Sequence, residues 1–337
     1  CLVLKAGITK FAGELDKNLG IETFGSLTIS SIAHKWAIKE GAYDGIYSIN
    51  NTTRSFITQC MAGGRVATQY NIRHIAEGRI EDFDGVSLYP SAMKRLCNEI
   101  GLPSSKFKII RDQSHFNKVY HGSIYYFVEI IANQDTKEQQ IAFPRIKEKD
   151  RIIYTNKIKG KTLYLGRIAL EDLVNFCDLK DYTFVKGIYW SGDSVNSNLG
   201  KCVDTLFTMR SYAKDVEKNS AKQEGLKLAL NSLYGKNMLS RSKETSICRV
   251  SGDDANNYLI KNHQNIKSFI ECGNTTIFKE ECDSLYDSNN IHIACMILDM
   301  SKRIMNEVID VIDNNGINIL YTDTDSMHIM NNNRDIE

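Results

Sequence analysis

Residues 317–330, INILYTDTDSMHIM, constrain the fold of this chain more than any other stretch. Apolar and polar residues alternate up to Tyr321, Asp323 and Asp325 follow one residue apart, and the alternation then resumes at Met327. This pattern predicts a strand, a tight turn and a second strand. Two carboxylates at one hairpin tip repel each other, so the tip predicts a position for a cation. Asp and Thr also favour turns for local reasons, which is the plainer interpretation of the same residues.

A calcium loop of the EF-hand type is excluded, because Met327 and His328 stand where that loop needs an oxygen ligand and a glycine. The seven histidines form no ligand pattern, and His328 is interpreted as a strand residue beside the tip. The nine cysteines contain no CxxC pair, which favours free thiols in an intracellular, reducing compartment.

The rest of the chain predicts an α+β protein. A helical stripe from about His292 to Asp313 stops at Gly316, and residues 203–238 predict a helical hairpin that turns near Asn219 and Ser220. Strand-like runs alternate with one helix, near 169–177, through residues 105–200. With 337 residues and 42% hydrophobic content the chain can bury a core and form two or more domains. The net charge of +1 argues neither for nor against nucleic acid, and no apolar run is long enough to span a bilayer.

The stretch DFDGVSLYPSAM, residues 82–93, places a further carboxylate beside a predicted helix start. Asp84 ends a strand, Gly85 permits a turn, and Pro90 is predicted at the first helical position. Free backbone N–H groups at such a helix start suit a phosphate, and here they belong to Ser87, Leu88 and Tyr89. The alternative is an ordinary strand–turn–helix joint with a solvated aspartate.

A third constellation lies in AKQEGLKLALNSLYGKN, residues 221–237. Lys227, Asn231 and Tyr234 are spaced i, i+4 and i+7, and therefore share one helix face that is able to hold a triphosphate and inspect a sugar or base. A basic stripe accompanies this face, although such a stripe is often simply solvated. The stripe consists of Arg210, Lys214, Lys218 and Lys222.

Taken together, the three constellations form a complete set for nucleotidyl transfer. Two Mg²⁺ ions bridged by carboxylates stabilise the attacking and leaving oxygens of an in-line displacement, and Mn²⁺ is an expected substitute. Fixed cations offset the charge on the pyrophosphate that leaves. Positioning and electrostatics supply most of such catalysis, so little else is required of the protein.

The sequence resembles the family B DNA polymerases. DGVSLYP, KLALNSLYG and YTDTDS, in this order, are similar to motifs A, B and C of that family, and the resemblance runs from about Ala62 to the C-terminus. It implies a right-hand architecture, in which a palm with an antiparallel sheet and packed helices joins helical-hairpin fingers and α+β inserts. It also implies a template-directed DNA polymerase core that adds dNTPs to a primer 3′-hydroxyl.

The resemblance also implies roles for individual residues. Asp84 and Asp325 would bind metal with the Gly85 carbonyl, Asp323 would support the catalytic site, and Tyr89 would exclude a ribose 2′-hydroxyl. Triphosphate contacts would come from the Ser87 and Leu88 N–H groups, Lys227 and Asn231, with Arg210 or Lys214. Tyr234 and Gly235 would border the nascent base pair. The expected contacts with DNA are Gly63, Gly64, Arg65, Lys236 and Thr324.

Short fingers and two inserts fit the protein-primed branch best, with a terminal protein as a further partner beside primer–template DNA and dNTPs. The expected divisions are an exonuclease-like tail and linker (1–60), palm with motif A (61–104), first insert (105–200), fingers (201–238), second insert (239–290) and palm with motif C (291–337). MAGGR resembles the YxGG linker of the family, with Met61 at the tyrosine position. The chain is expected to be a fragment that lacks a thumb and exonuclease motifs, so no exonuclease activity is predicted.

Two alternatives remain open at this point. A reverse transcriptase would usually present adjacent aspartates at the hairpin tip, and the helix-borne Lys, Asn and Tyr set argues against it. A catalytically degenerate polymerase that serves as a DNA-binding replication scaffold would have lost part of the site. The presence of Asp84, Asp323, Asp325 and Lys227 disfavours that alternative.

Overall fold

The computed structural model describes residues 2–20, 23, 28–73, 75, 78–148, 151–238, 243–283 and 289–331. The chain divides into two compact units. The larger unit comprises Cys1–Asn237 and Asn290–Glu337, and the smaller one is Met238–Asn289. Among the described helices none is both long and apolar enough to cross a membrane.

The described residues form ten α-helices. They are α1 (Leu2–Leu19), α2 (Ile29–Lys39), α3 (Asn51–Cys60), α4 (Leu88–Glu99), α5 (Gln113–Gly122), α6 (Arg167–Cys177), α7 (Asn198–Asp215), α8 (Ser220–Met238), α9 (Gly252–Asn262) and α10 (Ile291–Asn314). The α7–α8 hairpin and α10 agree with the predicted helices to within a few residues at most ends.

The strands are short and all their pairings are antiparallel. They are β1 (Val66–Thr68), β2 (Arg79–Asp84), β3 (Leu102–Pro103), β4 (Lys108–Ile110), β5 (Tyr125–Ala132), β6 (Arg145–Glu148), β7 (Arg151–Tyr154), β8 (Thr162–Gly166), β9 (Tyr182–Trp190), β10 (Val195–Asn196), β11 (Lys243–Ser251), β12 (Ile266–Cys272), β13 (Thr275–Asp283), β14 (Ile319–Asp323) and β15 (Ser326–Asn331).

The sheet that carries the hairpin tip has four strands in the order β1-β14-β15-β2. Its middle strands, β14 and β15, are the predicted hairpin, and β2 pairs with the outer edge of β15. Side chains alternate between the two faces of the sheet. Thr322, Met327 and Ile329 are buried on the inner face, while Asp84 and Asp323 are exposed.

Helix α10 is the central helix of the larger unit and packs against α3, α4 and α6. Its amphipathic stripe was predicted, but its first half is buried on all sides because three helices surround it. Polar residues are therefore buried along with the apolar ones, notably Asp299 and Lys302. Such burial stabilises a protein only when each polar group finds a partner.

The first insert is a four-stranded sheet in the order β4-β9-β5-β8, accompanied by α5 and α6. The prediction of a single helix there was wrong, since α5 also forms. Asp112 caps α5 by accepting a hydrogen bond from the backbone N–H of His115 at 2.8 Å. Only Phe116 and Val119 of α5 are buried, so the helix lacks a strong apolar stripe and its capping residue is its main sequence signal.

The smaller unit is a three-stranded sheet, β11-β13-β12, packed against α9. Its Phe278 is buried and contacts the rings of Phe269 and Tyr258. Much of this region is polar, yet the Gly273–Asn274 turn between β12 and β13 is an ordinary hairpin signal. The unit spans nearly the same residues as the second insert expected at 239–290.

Candidate active site

The hairpin tip forms a compact turn at Thr324 and Asp325. Thr324 adopts a positive φ of 59°, and Asp323 lies opposite Ser326 across the turn. The Asp323 carboxylate accepts hydrogen bonds from the Tyr321 hydroxyl and from Thr324 Oγ1, each at 3.2 Å. Local turn chemistry is therefore present, but it uses Asp323 and leaves the role of Asp325 to be explained by its neighbours.

The strand that carries motif A lies directly beside this tip. Asp84 pairs with Ser326 in the β2–β15 register, and the Gly85 N–H donates to the Asp325 carbonyl at 2.7 Å. A Cβ atom at Gly85 would lie 3.1 Å from that carbonyl oxygen, which explains why glycine suits the position. Residues 240 positions apart in the sequence are thus joined by backbone contact. We refer to Asp84, Asp323 and Asp325 as the tip aspartates.

The other two tip aspartates affect the ionisation of Asp325. Burial raises the pKa of Asp325, the Asp84 carboxylate raises it further, and Asp323 adds to the same effect. A raised carboxyl pKa means that the folded protein disfavours the ionised form at this position. The described residues contain no group of three or more His, Cys, Asp or Glu side chains that would hold a metal ion by themselves. A cation here would therefore need oxygen ligands beyond the protein carboxylates.

Helix α4 begins beside the tip. It starts at Leu88, two residues before the predicted first position, so Pro90 is the third residue of the helix and the prediction of its start was wrong. Ser87 precedes it in the left-handed region with a φ of 58° and makes no side-chain capping bond. The first N–H groups of an α-helix have no intrahelical partner. The N–H groups of Leu88 and Tyr89 therefore stand in the first turn, as the phosphate-binding hypothesis requires.

Motifs A and B meet through two tyrosines. The rings of Tyr89, on α4, and Tyr234, on α8, stack with centroids 4.2 Å apart and planes 18° apart. Burial raises the pKa of Tyr89, and its neighbours Tyr234 and Asp325 raise it further. Tyr89 therefore lies close to Tyr234 of motif B and to Asp325 of motif C. The structure brings these three predicted residues to one place.

The predicted helix face on α8 is open to solvent. Lys227 and Asn231 are exposed, whereas Leu226, Leu230 and Leu233 on the other side are buried. Within the described part of the chain, Lys227 forms its ion pair with Glu224, at 3.8 Å, and not with a tip aspartate. On α7, Lys214 is exposed and Arg210 is half-buried. Gly235 and Lys236 are half-buried at the end of the α8 face.

The MAGGR linker contacts the hairpin tip through its backbone. The Arg65 carbonyl accepts a hydrogen bond from the Thr324 N–H at 2.8 Å, and a Cβ atom at Gly64 would overlap the Thr324 side chain. Gly63 and Gly64 are exposed, as a DNA contact requires. Arg65 is buried, with its guanidinium 4.9 Å from the Phe143 ring centroid. This burial disagrees with the predicted contact between Arg65 and DNA, because the side chain faces the protein interior.

Sequence reasoning missed one polar pair on the same face of the sheet. His328 Nε2 lies 3.3 Å from the Asp82 carboxylate, and the His328 ring packs edge-on against Tyr321 with centroids 5.4 Å apart. Tyr321 in turn donates to Asp323. These contacts depend on the β2–β15 register, in which Asp82 lies opposite His328. No local sequence signal reports that register.

Comparison with protein families identifies the class. A family model described as "DNA polymerase type B, organellar and viral" matches residues 1–315. The chain therefore belongs to the organellar and viral type B DNA polymerases, and the prediction from motifs A, B and C is confirmed. A comparison with curated protein sequences returns no match.

Solved structures give the same fold. Phi29 DNA polymerase bound to primer–template DNA in a post-translocation binary complex matches with a TM-score of 0.63 at 17% identity, over 91% of this chain and 48% of that chain. A ternary complex of Phi29 DNA polymerase with primer–template DNA and incoming nucleotides matches with a TM-score of 0.58 at 18% identity, over 91% and 49%. The complex of Phi29 DNA polymerase with single-stranded DNA matches with a TM-score of 0.58 at 17% identity, over 93% of this chain and 49% of that chain. The chain thus spans about half the length of these polymerases.

Proposed function

We propose that this chain is the palm and fingers core of a DNA-directed DNA polymerase, which extends a primer 3′-hydroxyl with dNTPs. The observation that carries the proposal is the backbone contact between Gly85 and Asp325, which brings motifs A and C together at one tip. The family membership of the chain supports the same conclusion.

The donor set at the tip fits a magnesium ion. Asp84 and Asp325 would hold Mg²⁺, or Mn²⁺ in its place, with the Gly85 carbonyl, because hard cations prefer oxygen ligands and Mg²⁺ is commonly held by one or two carboxylates plus substrate phosphates. Two such ions would stabilise the charge on the attacking and leaving oxygens. Asp323 orients the turn through its bonds with Tyr321 and Thr324. The raised pKa of Asp325 supports this assignment, since a cation would relieve the repulsion that causes part of the shift.

The triphosphate would lie between α4 and the fingers helices. The N–H groups of Ser87 and Leu88 would donate to its oxygens, as helix N-termini do for anions. Lys227 and Asn231 are exposed for the same task, and Arg210 or Lys214 would add a second cation. Positioned cations offset the negative charge that accumulates on the leaving pyrophosphate.

The Tyr89–Tyr234 stack would check the sugar and the base. Tyr89 would lie under the deoxyribose and leave no room for a 2′-hydroxyl, while Tyr234 and Gly235 would border the nascent base pair. The stacking distance of 4.2 Å supports the proposal, because Tyr234 holds the Tyr89 ring in one orientation. Replacing Tyr89 by alanine should raise the relative efficiency of ribonucleotide incorporation by about tenfold or more, since small steric differences contribute about 1–3 kcal/mol. Unchanged sugar selectivity, measured with dATP against ATP, would contradict the role.

The proposed partners follow from the same layout. Primer–template DNA would contact Gly63, Gly64, Lys236 and Thr324, and a terminal protein would serve as primer if the chain works as the protein-primed branch does. Seven of the cysteines, which include Cys60, Cys177 and Cys295, are free thiols. This supports the proposal of a reducing, intracellular compartment.

The test is primer extension by the complete protein. Asp325→Asn should lower the rate of nucleotide incorporation by about 1000-fold, because it removes a charged metal ligand in the reacting centre. Binding of primer–template DNA, which is salt-dependent, should change little. Asp193→Asn, at a side chain that is 75% exposed, is the matched control and should retain full activity. Retained incorporation by Asp325→Asn would overturn the metal assignment.

The scaffold alternative makes the opposite prediction. A degenerate polymerase would bind DNA but would bind dNTPs weakly or without dependence on Mg²⁺. Titration with a labelled dNTP, with and without Mg²⁺, separates the two. The backbone contact between motifs A and C, and the effect of Asp84 on the pKa of Asp325, support the enzyme over the scaffold.

A further inference from the structure

A buried group of charges lies where helix α10 and strand β6 meet the linker. Arg145, Asp299 and Lys302 are all buried, with 8%, 1% and 8% of their surfaces exposed. Arg145 Nη1 lies 3.3 Å from Asp299 Oδ1, so the two form a buried ion pair. We call these three residues the linker clamp.

Both cations of the linker clamp bind backbone carbonyls on either side of Met61. Arg145 Nη2 donates to the Cys60 carbonyl. Lys302 Nζ donates to the Ala62 carbonyl at 2.6 Å and to the Leu298 carbonyl at 3.1 Å. The end of α3 and the start of the linker are therefore held by charge-assisted hydrogen bonds in a water-poor environment, where such bonds are strong.

Arg65 reaches into the same group from the other end of the linker. It lines a cavity of about 20 Å³ together with Arg145, Asp299 and Lys302. Its Nε is buried without a hydrogen-bond partner in the described structure, and so is the Oδ1 atom of Asn306, which lines the same cavity. The cavity has room for about one water molecule, and two polar atoms are enough to hold it. The linker is therefore held at Ala62 by Lys302 and at Arg65 by the burial of its side chain, and Arg145 holds the preceding residue, Cys60.

The opposite side of the linker supports the hairpin tip. The Thr324 N–H donates to the Arg65 carbonyl, and Val66 pairs with Asp323 in the β1–β14 register. Gly64 lies so close to the Thr324 side chain that no larger residue fits without movement. A displacement of the linker would consequently move Thr324, which lies between Asp323 and Asp325 in the chain.

From these contacts we infer that the linker clamp positions the tip aspartates, and that Arg145, Asp299 and Lys302 are positioning residues for nucleotide incorporation although none reaches the reacting atoms. The inference deepens the proposed function and rests on it for the reaction. Its physical basis is that displacements of about 1 Å in a catalytic group lower rates by about 100-fold.

Two variants of the complete protein test the inference. Lys302→Met removes the donor to the Ala62 carbonyl and replaces it with an unbranched apolar side chain. The double variant Arg145→Met, Asp299→Asn removes the donor to Cys60 together with its counter-charge, so that neither member of the Arg145–Asp299 ion pair is left buried alone. Lys161→Met is the control, since Lys161 pairs with Glu148 at the surface with both side chains about half exposed.

The first readout does not depend on activity. Hydrogen exchange of the peptide that covers residues 319–331 should be about tenfold faster in both variants than in the wild type, because the Thr324 N–H loses its fixed acceptor. The control should exchange as the wild type does. Unchanged exchange at the tip in both variants would overturn the inference.

The second readout is the pre-steady-state burst of nucleotide incorporation. The burst rate should fall about 10- to 100-fold while the burst amplitude and the dNTP KM stay near the wild-type values. A lower amplitude with an unchanged rate would mean only that less protein folds, and would also overturn the inference. A wild type without incorporation would instead contradict the proposed function, and hydrogen exchange would still decide the role of the clamp.

Discussion

The tip aspartates and the linker clamp are two groups of charges in one unit, and they are arranged in opposite ways. At the tip, burial raises the pKa of Asp325, and the like charges of Asp84 and Asp323 raise it further. In the clamp, opposite charges pair away from solvent and every cation also binds a carbonyl. Folding thus gives both cations of the clamp a carbonyl acceptor and leaves the repulsion at the tip for a ligand to relieve. A charged group that the fold leaves uncompensated is therefore the better indicator of function.

The largest expected difference between the two groups is in the effect of an Asp→Asn substitution on the free energy of unfolding, and it is expected at Asp299. Asp299→Asn leaves the Arg145 guanidinium buried without its counter-charge, and should lower the free energy of unfolding by about 3–5 kcal/mol. Asp323→Asn, at an exposed tip position, should change it by about 0.5 kcal/mol or less. Urea denaturation of both variants measures the difference. Equal effects would show that the two groups of charges do not differ as described.

The protonation of Lys302 sharpens the comparison. Burial, with a further contribution from Arg145, lowers the pKa of Lys302 from 10.5 to about 7. Between these values the unfolded chain binds a proton that the folded chain does not, so the contribution of Lys302 to stability rises with pH.

The free energy of unfolding of the wild type, relative to that of Lys302→Met, should therefore rise by up to about 1.4 kcal/mol per pH unit above pH about 7. Below that pH the difference should level off, because Lys302 is then charged in both states. Denaturation midpoints of the two proteins across this range provide the measurement. A constant difference throughout would show that the Lys302 pKa is not depressed.

The smallest expected effect is on the stability of the tip itself. Because the pKa of Asp325 is raised on folding, its ionisation lowers stability as pH rises through the folded pKa. Asp325→Asn should therefore raise the melting temperature of the metal-free protein slightly at neutral pH, although the same variant is expected to lose nearly all incorporation. A lower melting temperature would indicate that Asp325 stabilises the fold instead of serving a ligand.

Much of this site was predictable from local sequence. The hairpin at Asp323 and Asp325, helix α10 and the α7–α8 hairpin each follow from short-range periodicity and turn residues. The family was predictable for the same reason, since motifs A, B and C are each contiguous. Helix α5 and the sheet of the smaller unit were missed because their apolar patterns are weak, although Asp112 and Gly273 are usable signals.

The linker clamp was not predictable. Arg145, Asp299 and Lys302 each resemble a surface residue in their own segment, and only the packing of α3, α4 and α6 around α10 buries the two that α10 carries. The burial of Arg65 and the pairing of Asp82 with His328 likewise depend on contacts between distant segments. Sequence patterns report periodicity within an element, whereas these features depend on which elements meet.

The most direct test of the account is a Mn²⁺ titration of the complete protein, followed by electron paramagnetic resonance. The account predicts that the wild type and Asp193→Asn bind Mn²⁺ equally, and that Asp325→Asn loses a site or binds it at least about tenfold more weakly. The same number of sites with the same affinity in Asp325→Asn would contradict the claim that the hairpin tip is a metal centre.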